Sequence, residues 1–261
     1  MKRTPIMPNP ETIPQIFHRY LADCPVFDSS CSRDARVIFL DRDGGLYLKS
    51  AKAGSLKQEA QMDAYFAALG LGPEVLEYRT EEQDWLLTRA VKGEDCTHAD
   101  YLAQPERLAE TMAEILFDLH HRDPAACPVQ NHTERYLRRA TENYAAGRYD
   151  ASLFPDNWGY ASAEEAWAVV EANGKHLKTD TLLHGDYCLP NIMLDGWKPS
   201  GFIDVGGGGV GDKHVDLFWG AWTLQFNLKT DKFCTRFLDA YGRSHFEPEL
   251  LRTIAAVEVF L

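Results

Sequence analysis

Leu182-Leu183-His184-Gly185-Asp186-Tyr187-Cys188-Leu189-Pro190-Asn191-Ile192-Met193-Leu194, continued by Gly201-Phe202-Ile203-Asp204-Val205-Gly206, is the stretch on which the fold turns. Asp186, Asn191 and Asp204 are spaced by five and thirteen residues, with one apolar run after Asn191 and another leading into Asp204. Two such runs around a polar connection predict a hairpin, whose opposite arms bring Asn191 and Asp204 together. Taken singly, Asp-x-x-x-x-Asn carries no information and His-Gly-Asp reads as a turn. Taken together, they set an acid, an amide and a second acid into one loop system.

Phosphoryl transfer needs those groups and little covalent help. An aspartate orients the attacking hydroxyl, and an amide oxygen with a carboxylate holds magnesium against the phosphates. Protein kinases keep the same order in the loop His-Arg-Asp-x-x-x-x-Asn and the later Asp-Phe-Gly. Here Gly185 replaces the arginine. The triphosphate also needs a cation. Lys49 ends the apolar run Leu46-Tyr47-Leu48, where a lysine is either an edge residue reaching solvent or the strand lysine that touches phosphates. Glu59 follows ten residues later, on a predicted helix, where the partner of such a lysine belongs.

Outward from these residues the chain changes texture. Val37 to Leu40 and Leu46 to Lys49 flank the turn Asp41-Arg42-Asp43-Gly44-Gly45 and predict one hairpin, and Val75 to Tyr78 with Trp85 to Thr88 predict another. Between them the run from Ser55 to Leu69 predicts a helix, with Ser55 as N-cap and Gly70 as stop. Beyond Gly93 helices dominate. Leu108, Met112, Ile115, Leu116 and Leu119 form one stripe of a helix between Pro105 and His121. Further helices are expected at 133–144, 162–172, 216–226, 231–241 and 248–260. The expectation is an α+β chain with a small β-rich nucleotide-binding lobe, 1–93, and a larger, mostly helical lobe with the catalytic and substrate-binding groups, 94–261.

Composition restricts the partners. The 261 residues are 45% hydrophobic and 25% charged, an ordinary globular mixture, with no apolar run of membrane-spanning length and no apolar signal core after Met1. A cytoplasmic address is expected. Six scattered cysteines without a Cys-x-x-Cys pair suggest neither a zinc site nor a disulfide framework. A net charge of −12 disfavours nucleic acid and anionic membranes as partners and suits a cationic ligand. Among the other polar groups, His120 and His121 are read as caps of their helix, Cys188 as a packing thiol and Asp216 as the N-cap of its own helix.

His184-Gly185-Asp186 through Asn191, the phrase Cys188-Leu189-Pro190-Asn191-Ile192-Met193, and Ser200 through Asp204 resemble the signature of the aminoglycoside phosphotransferases, especially the 3′-phosphotransferases. The likeness continues through Gly209 to Lys213, Asp216-Leu217, Asp84 to Leu87 and the tail Glu258-Val259-Phe260. It implies a bilobal protein-kinase-like fold and transfer of the ATP γ-phosphate, with GTP as an alternative donor, to an aminoglycoside hydroxyl. Residue by residue it implies Asp186 as catalytic base, Asn191 and Asp204 as magnesium ligands, and Lys49 with Glu59 as the phosphate-positioning pair. It further implies Arg89 and Val91 as backbone contacts to adenine, Ser32 over the phosphates, and Asp156 and Glu258 on the ammonium groups of the antibiotic.

The departures from the family pattern fall on the acceptor side. Gly207 stands where the family has arginine, Trp222 and Phe226 stand where charged groups are expected, and Leu261 extends the tail. Trp222 and Phe226, four apart, have the spacing of a core stripe. Two other readings therefore stay open on the sequence: a kinase of another small hydroxylated metabolite or antibiotic, and a nucleotide-binding pseudokinase. The oligomeric state is not legible.

Overall fold

Alternation along a single strand sets up the first half of the molecule. In Leu46–Lys52 the residues Leu46, Leu48 and Ser50 are buried while Tyr47, Lys49 and Ala51 are half-buried on the other face, the period of two that a pleated strand imposes. The computed structural model describes residues 3–31, 34–152 and 158–261. The chain divides into two compact units, one formed by residues up to Asp95 together with Ile192–Gly206, the other by Cys96–Asn191 and Gly207–Leu261.

The first unit is a six-stranded antiparallel sheet with two helices. In chain order it holds β1 (Thr4–Pro5), α1 (Gln15–Leu21), β2 (Val26–Asp28), β3 (Ala35–Leu40), β4 (Leu46–Lys52), α2 (Lys57–Ala68), β5 (Val75–Thr80) and β6 (Gln83–Arg89). The strand order is β1-β2-β3-β4-β6-β5. Both expected hairpins form, with Leu40 opposite Leu46 in the first and Thr80 opposite Asp84 in the second. Leu40, Leu46, Leu48 and Leu87 pack with Phe17 of α1 and with Trp85 into one core on the face away from Lys49. A second, three-stranded sheet joins β7 (Glu94–Asp95) to the expected hairpin β9 (Ile192–Asp195) and β10 (Lys198–Phe202). Phe202 anchors that hairpin edge-on against Phe66 of α2, with ring centroids 6.0 Å apart.

Helix α2 begins differently from the sequence expectation. Its N-cap residue is Leu56, without a side-chain cap of its own, and the Ser55 hydroxyl turns back to the Lys52 carbonyl. The Leu56 amide instead donates to Asp84 Oδ2 at 2.8 Å, a capping oxygen supplied by β6.

The second unit contains α3 (Ala99–Leu102), α4 (Pro105–His120), α5 (His132–Ala145), α6 (Ala163–Asn173), β8 (Thr181–Leu183), β11 (Gly209–Gly211), α7 (His214–Leu228), α8 (Lys232–Tyr241) and α9 (Pro248–Glu258). The stripe Leu108, Met112, Ile115, Leu116 and Leu119 is buried throughout, and α4 packs chiefly on α8. Ser162 caps α6 as its position suggests, accepting from the Glu165 amide. The short strands β8 and β11 pair antiparallel, Leu183 opposite Gly209, and fix the backbone on either side of the stretch 184–208. No helix among the described residues is long and apolar enough to cross a membrane.

Candidate active site

In the first unit Lys49 points off the sheet by strand parity and meets α2. Its ammonium donates to both oxygens of Glu59, at 2.7 and 2.9 Å, and to Asp204 Oδ1 at 3.1 Å. Burial alone would favour the neutral amine, but the Asp204 and Glu59 carboxylates outweigh it and hold the Lys49 pKa well above the usual lysine range. The lysine is therefore a fixed cation. Asp204 sits at φ +56°, a left-handed conformation that aspartate tolerates better than most residues, and its side chain remains 54% exposed. Gly206 passes so close to α2 that a Cβ there would lie 3.0 Å from the Glu59 Cβ.

Lys49, Glu59, Arg89, Val91 and Asp204 line one cavity within this unit. Beside them Asp63, one turn beyond Glu59, is 3% exposed, and its Oδ1 has no partner among the described residues. Burial, reinforced by the Glu59 and Asp204 charges, pushes its carboxyl up to about 8. The Arg89 amide donates to the Glu74 carbonyl and the Ala90 amide to Gly45, so the Arg89 amide is held by the protein itself. Ser32 lies outside the described residues.

The second unit holds Asp186 on a loop suspended from a buried acid. Asp216 is fully buried, and its two oxygens accept the amides of His184 and Gly185 at 2.8 Å each. His120 Nε2 donates to the same carboxylate at 3.2 Å, and the Tyr241 hydroxyl donates to His120 Nδ1 at 2.8 Å. Burial would favour protonated Asp216, yet the His120 and backbone donors hold its pKa below the usual aspartate value. The N-cap role expected for Asp216 is thus replaced: the acid serves the loop that carries Asp186, accepting from amides 32 and 31 residues back along the chain. One signal was available, because an acid inside the apolar helix His214–Leu228 must find partners. Of the two histidines, His121 makes a cap-like bond to the Phe117 carbonyl, whereas His120 is committed to Asp216.

Two further bonds pin the loop. The Tyr187 hydroxyl donates to the Met112 carbonyl of α4 at 2.7 Å, and the Leu189 amide donates to Thr223 Oγ1 of α7 at 3.2 Å. Asn191 Nδ2 then donates to the Asp186 carbonyl and to its Oδ2, at 3.0 and 2.8 Å. Gly185 is required here: its φ is +87°, and a Cβ would lie 2.2 Å from the Gly207 backbone. Gly207 itself is less constrained, since its Cβ would approach the Gly185 carbonyl at 3.3 Å. Burial drives the Cys188 thiol upward, in keeping with a packing role.

On the acceptor side Glu258 is 8% exposed and its Oε1 accepts from the Tyr136 hydroxyl at 2.7 Å and from Trp219 Nε1 at 3.1 Å. Burial pushes its carboxyl up to about 7, against the pull of those two donors. Asp156 lies outside the described residues. Trp222 and Phe226 stack at 5.0 Å between centroids, but Phe226 is 55% exposed, so the core role expected from their spacing does not hold for it.

A model of the phosphotransferase enzyme family matches residues 27–254. The chain belongs to this family. It is 44% identical over 253 residues to a probable aminoglycoside 3′-phosphotransferase of Lactococcus lactis, covering 97% of this chain and 96% of that protein. It is also 30% identical over 236 residues to the streptomycin 3″-kinase of Streptomyces griseus, covering 82% and 84%. Among solved structures, the aminoglycoside 3′-phosphotransferase of type VIII superposes with a TM-score of 0.76 at 25% identity, over 94% of this chain and 96% of that one. The α+β architecture expected from the sequence is the one this family member has. Lys49, Glu59 and Asp204 lie in one of the two units, and Asp186 and Asn191 in the other.

Proposed function

We propose that the chain is an ATP-dependent aminoglycoside 3′-O-phosphotransferase, and that it confers resistance to the antibiotic it modifies. The observation that carries the reading is the Asp186 carboxylate, fixed by the Asn191 amide on a backbone hung from Asp216. A carboxylate so held can orient a sugar hydroxyl and accept its proton as the bond to phosphorus forms. Lys49, kept cationic and aimed by Glu59, positions the phosphates of the donor. The backbone at Arg89 and Val91 is proposed to meet adenine, and Glu258, once ionised, an ammonium group of the antibiotic.

The donor set suits magnesium. Asn191 commits its Nδ2 to Asp186, which leaves its amide oxygen for a cation, and Asp204 engages Lys49 through Oδ1, which leaves Oδ2. Each is a hard oxygen donor of the kind magnesium takes. When bound, magnesium would neutralise charge on the phosphates.

The 3′ hydroxyl is favoured by the near full-length likeness to the Lactococcus lactis protein. ADP release measured with kanamycin, neomycin and streptomycin tests this reading, with the phosphorylated position located by NMR. Turnover with kanamycin and neomycin is expected, and Asp186→Ala is expected to lower kcat by about 10²- to 10⁴-fold. Silence with every aminoglycoside would refute the acceptor class, and retained activity in Asp186→Ala would refute the mechanism. The exposed Phe226, stacked on Trp222 where charged groups were expected, favours as a second reading a different hydroxylated acceptor, which a broader acceptor screen would reveal.

A further inference from the structure

The cavity of the first unit is floored by one cross-strand row. Leu86 of β6 lies opposite Lys49 of β4, and Lys49 opposite Val37 of β3. The Ser29 amide donates to the Val37 carbonyl at 2.9 Å, and Thr4 of β1 pairs with Asp28. One residue further along that register, Arg3 falls beside Ser29. All five side chains of the row, Leu86, Lys49, Val37, Ser29 and Arg3, line the cavity. The Ser29 hydroxyl, on a residue 5% exposed, has no partner among the described residues.

Charge sets Arg3 apart within this row. The cavity wall carries Glu59, Glu94, Asp95 and Asp204, a poor surface for a polyanion. Lys49 is shared between two carboxylates and Arg89 is paired with Glu74 at 2.9 Å. Arg3 has only neutral partners among the described residues. Its guanidinium lies over the Phe39 ring, 3.5 Å from the centroid, and donates to the Tyr47 hydroxyl at 3.1 Å. Those contacts turn the side chain inward over the sheet without cancelling its charge. Tyr47 is two residues from Lys49 on the same face, about 7 Å along the strand.

We propose that Arg3 is a nucleotide-binding residue, which brings from the N-terminal strand the uncompensated positive charge that attracts the phosphates of the donor nucleotide. The inference rests on the reading of this cavity as the nucleotide site. It gives the strand β1 a function beyond closing the edge of the sheet.

Calorimetric titration of wild type, Arg3→Met and Arg3→Lys with ADP and with adenosine tests the proposal, each variant being checked for an unchanged thermal transition. Loss of one uncompensated charge near a partly exposed site is expected to weaken ADP by about 5- to 20-fold in Arg3→Met. Adenosine should weaken by less than about 2-fold, and Arg3→Lys should bind ADP more tightly than Arg3→Met but more weakly than wild type, because it keeps the charge and loses the stacking of the guanidinium on Phe39. The KM for ATP should rise in step with the ADP constant while kcat at saturation stays level, and added salt should narrow the gap between Arg3→Met and wild type. ADP binding unchanged in Arg3→Met, or an equal loss for adenosine and ADP, would overturn the proposal. Wild-type protein that binds neither ADP nor ATP would instead overturn the nucleotide reading of the cavity itself. Should Arg3→Met fail to fold, Arg3→Gln carries the same comparison.

Discussion

Glu258 is a carboxyl whose burial works against the task proposed for it. Its pKa is raised from an ordinary 4.5 to about 7, so near neutrality a substantial fraction is uncharged and cannot pair with an ammonium. The kcat/KM for an aminoglycoside is therefore expected to rise with pH through about 7, and Glu258→Gln should remove that limb of the profile and leave a low, flat rate. Stability should move in the opposite sense. The folded state holds this proton where the unfolded chain has lost it, so its contribution is complete below pH 4.5 and declines as pH rises toward about 7. Denaturant titrations across that window should show the decline in wild type and its absence in Glu258→Gln. A wild-type profile indifferent to pH between 5 and 8 would contradict both expectations.

At the scale of elements, helix α2 carries Glu59 to Lys49, and its start is fixed by a single oxygen of Asp84 from the neighbouring strand. Asp84→Ala should cost about 1–2 kcal/mol through loss of the cap, read as a lowered thermal midpoint. Because the same helix aims Glu59, the KM for ATP should rise too, while the KM for the acceptor stays near wild type. A variant that lost stability without any change in ATP affinity would separate the cap from the site. Most elements were legible in the sequence: the two hairpins of the sheet, the stripe of α4 and the hairpin β9–β10 follow from periodicity and turn residues alone. Those that escaped are short or lack a periodic signature. The two-residue strands β1 and β7, the short pair β8 and β11 and the seven-residue α1 are defined by what they pair with or pack on, and no window of sequence contains that partner.

Across the whole molecule the net charge of −12 makes the long-range field attractive to a polycation and repulsive to a nucleotide. Raising salt from low to physiological ionic strength should increase the KM for an aminoglycoside several-fold while leaving that for ATP level or lower; the same steady-state assays at two salt concentrations decide it. The order of Asp186, Asn191 and Asp204, the pairing of Lys49 with Glu59 and the helical periodicity were determined by the sequence itself, because each depends on spacing within a short stretch or on residue types that one chemistry demands together. Tertiary structure alone decided the rest. Only the folded chain returns Ile192–Gly206 to the first unit, gives Asp216 to the amides of His184 and Gly185 in place of its own helix, and caps α2 with Asp84. In the last two cases a buried polar group had to be satisfied, and in the first a strand edge and the Phe202 ring had to be paired with β7 and Phe66; every one of these partners lay too far along the chain for any local pattern to name it.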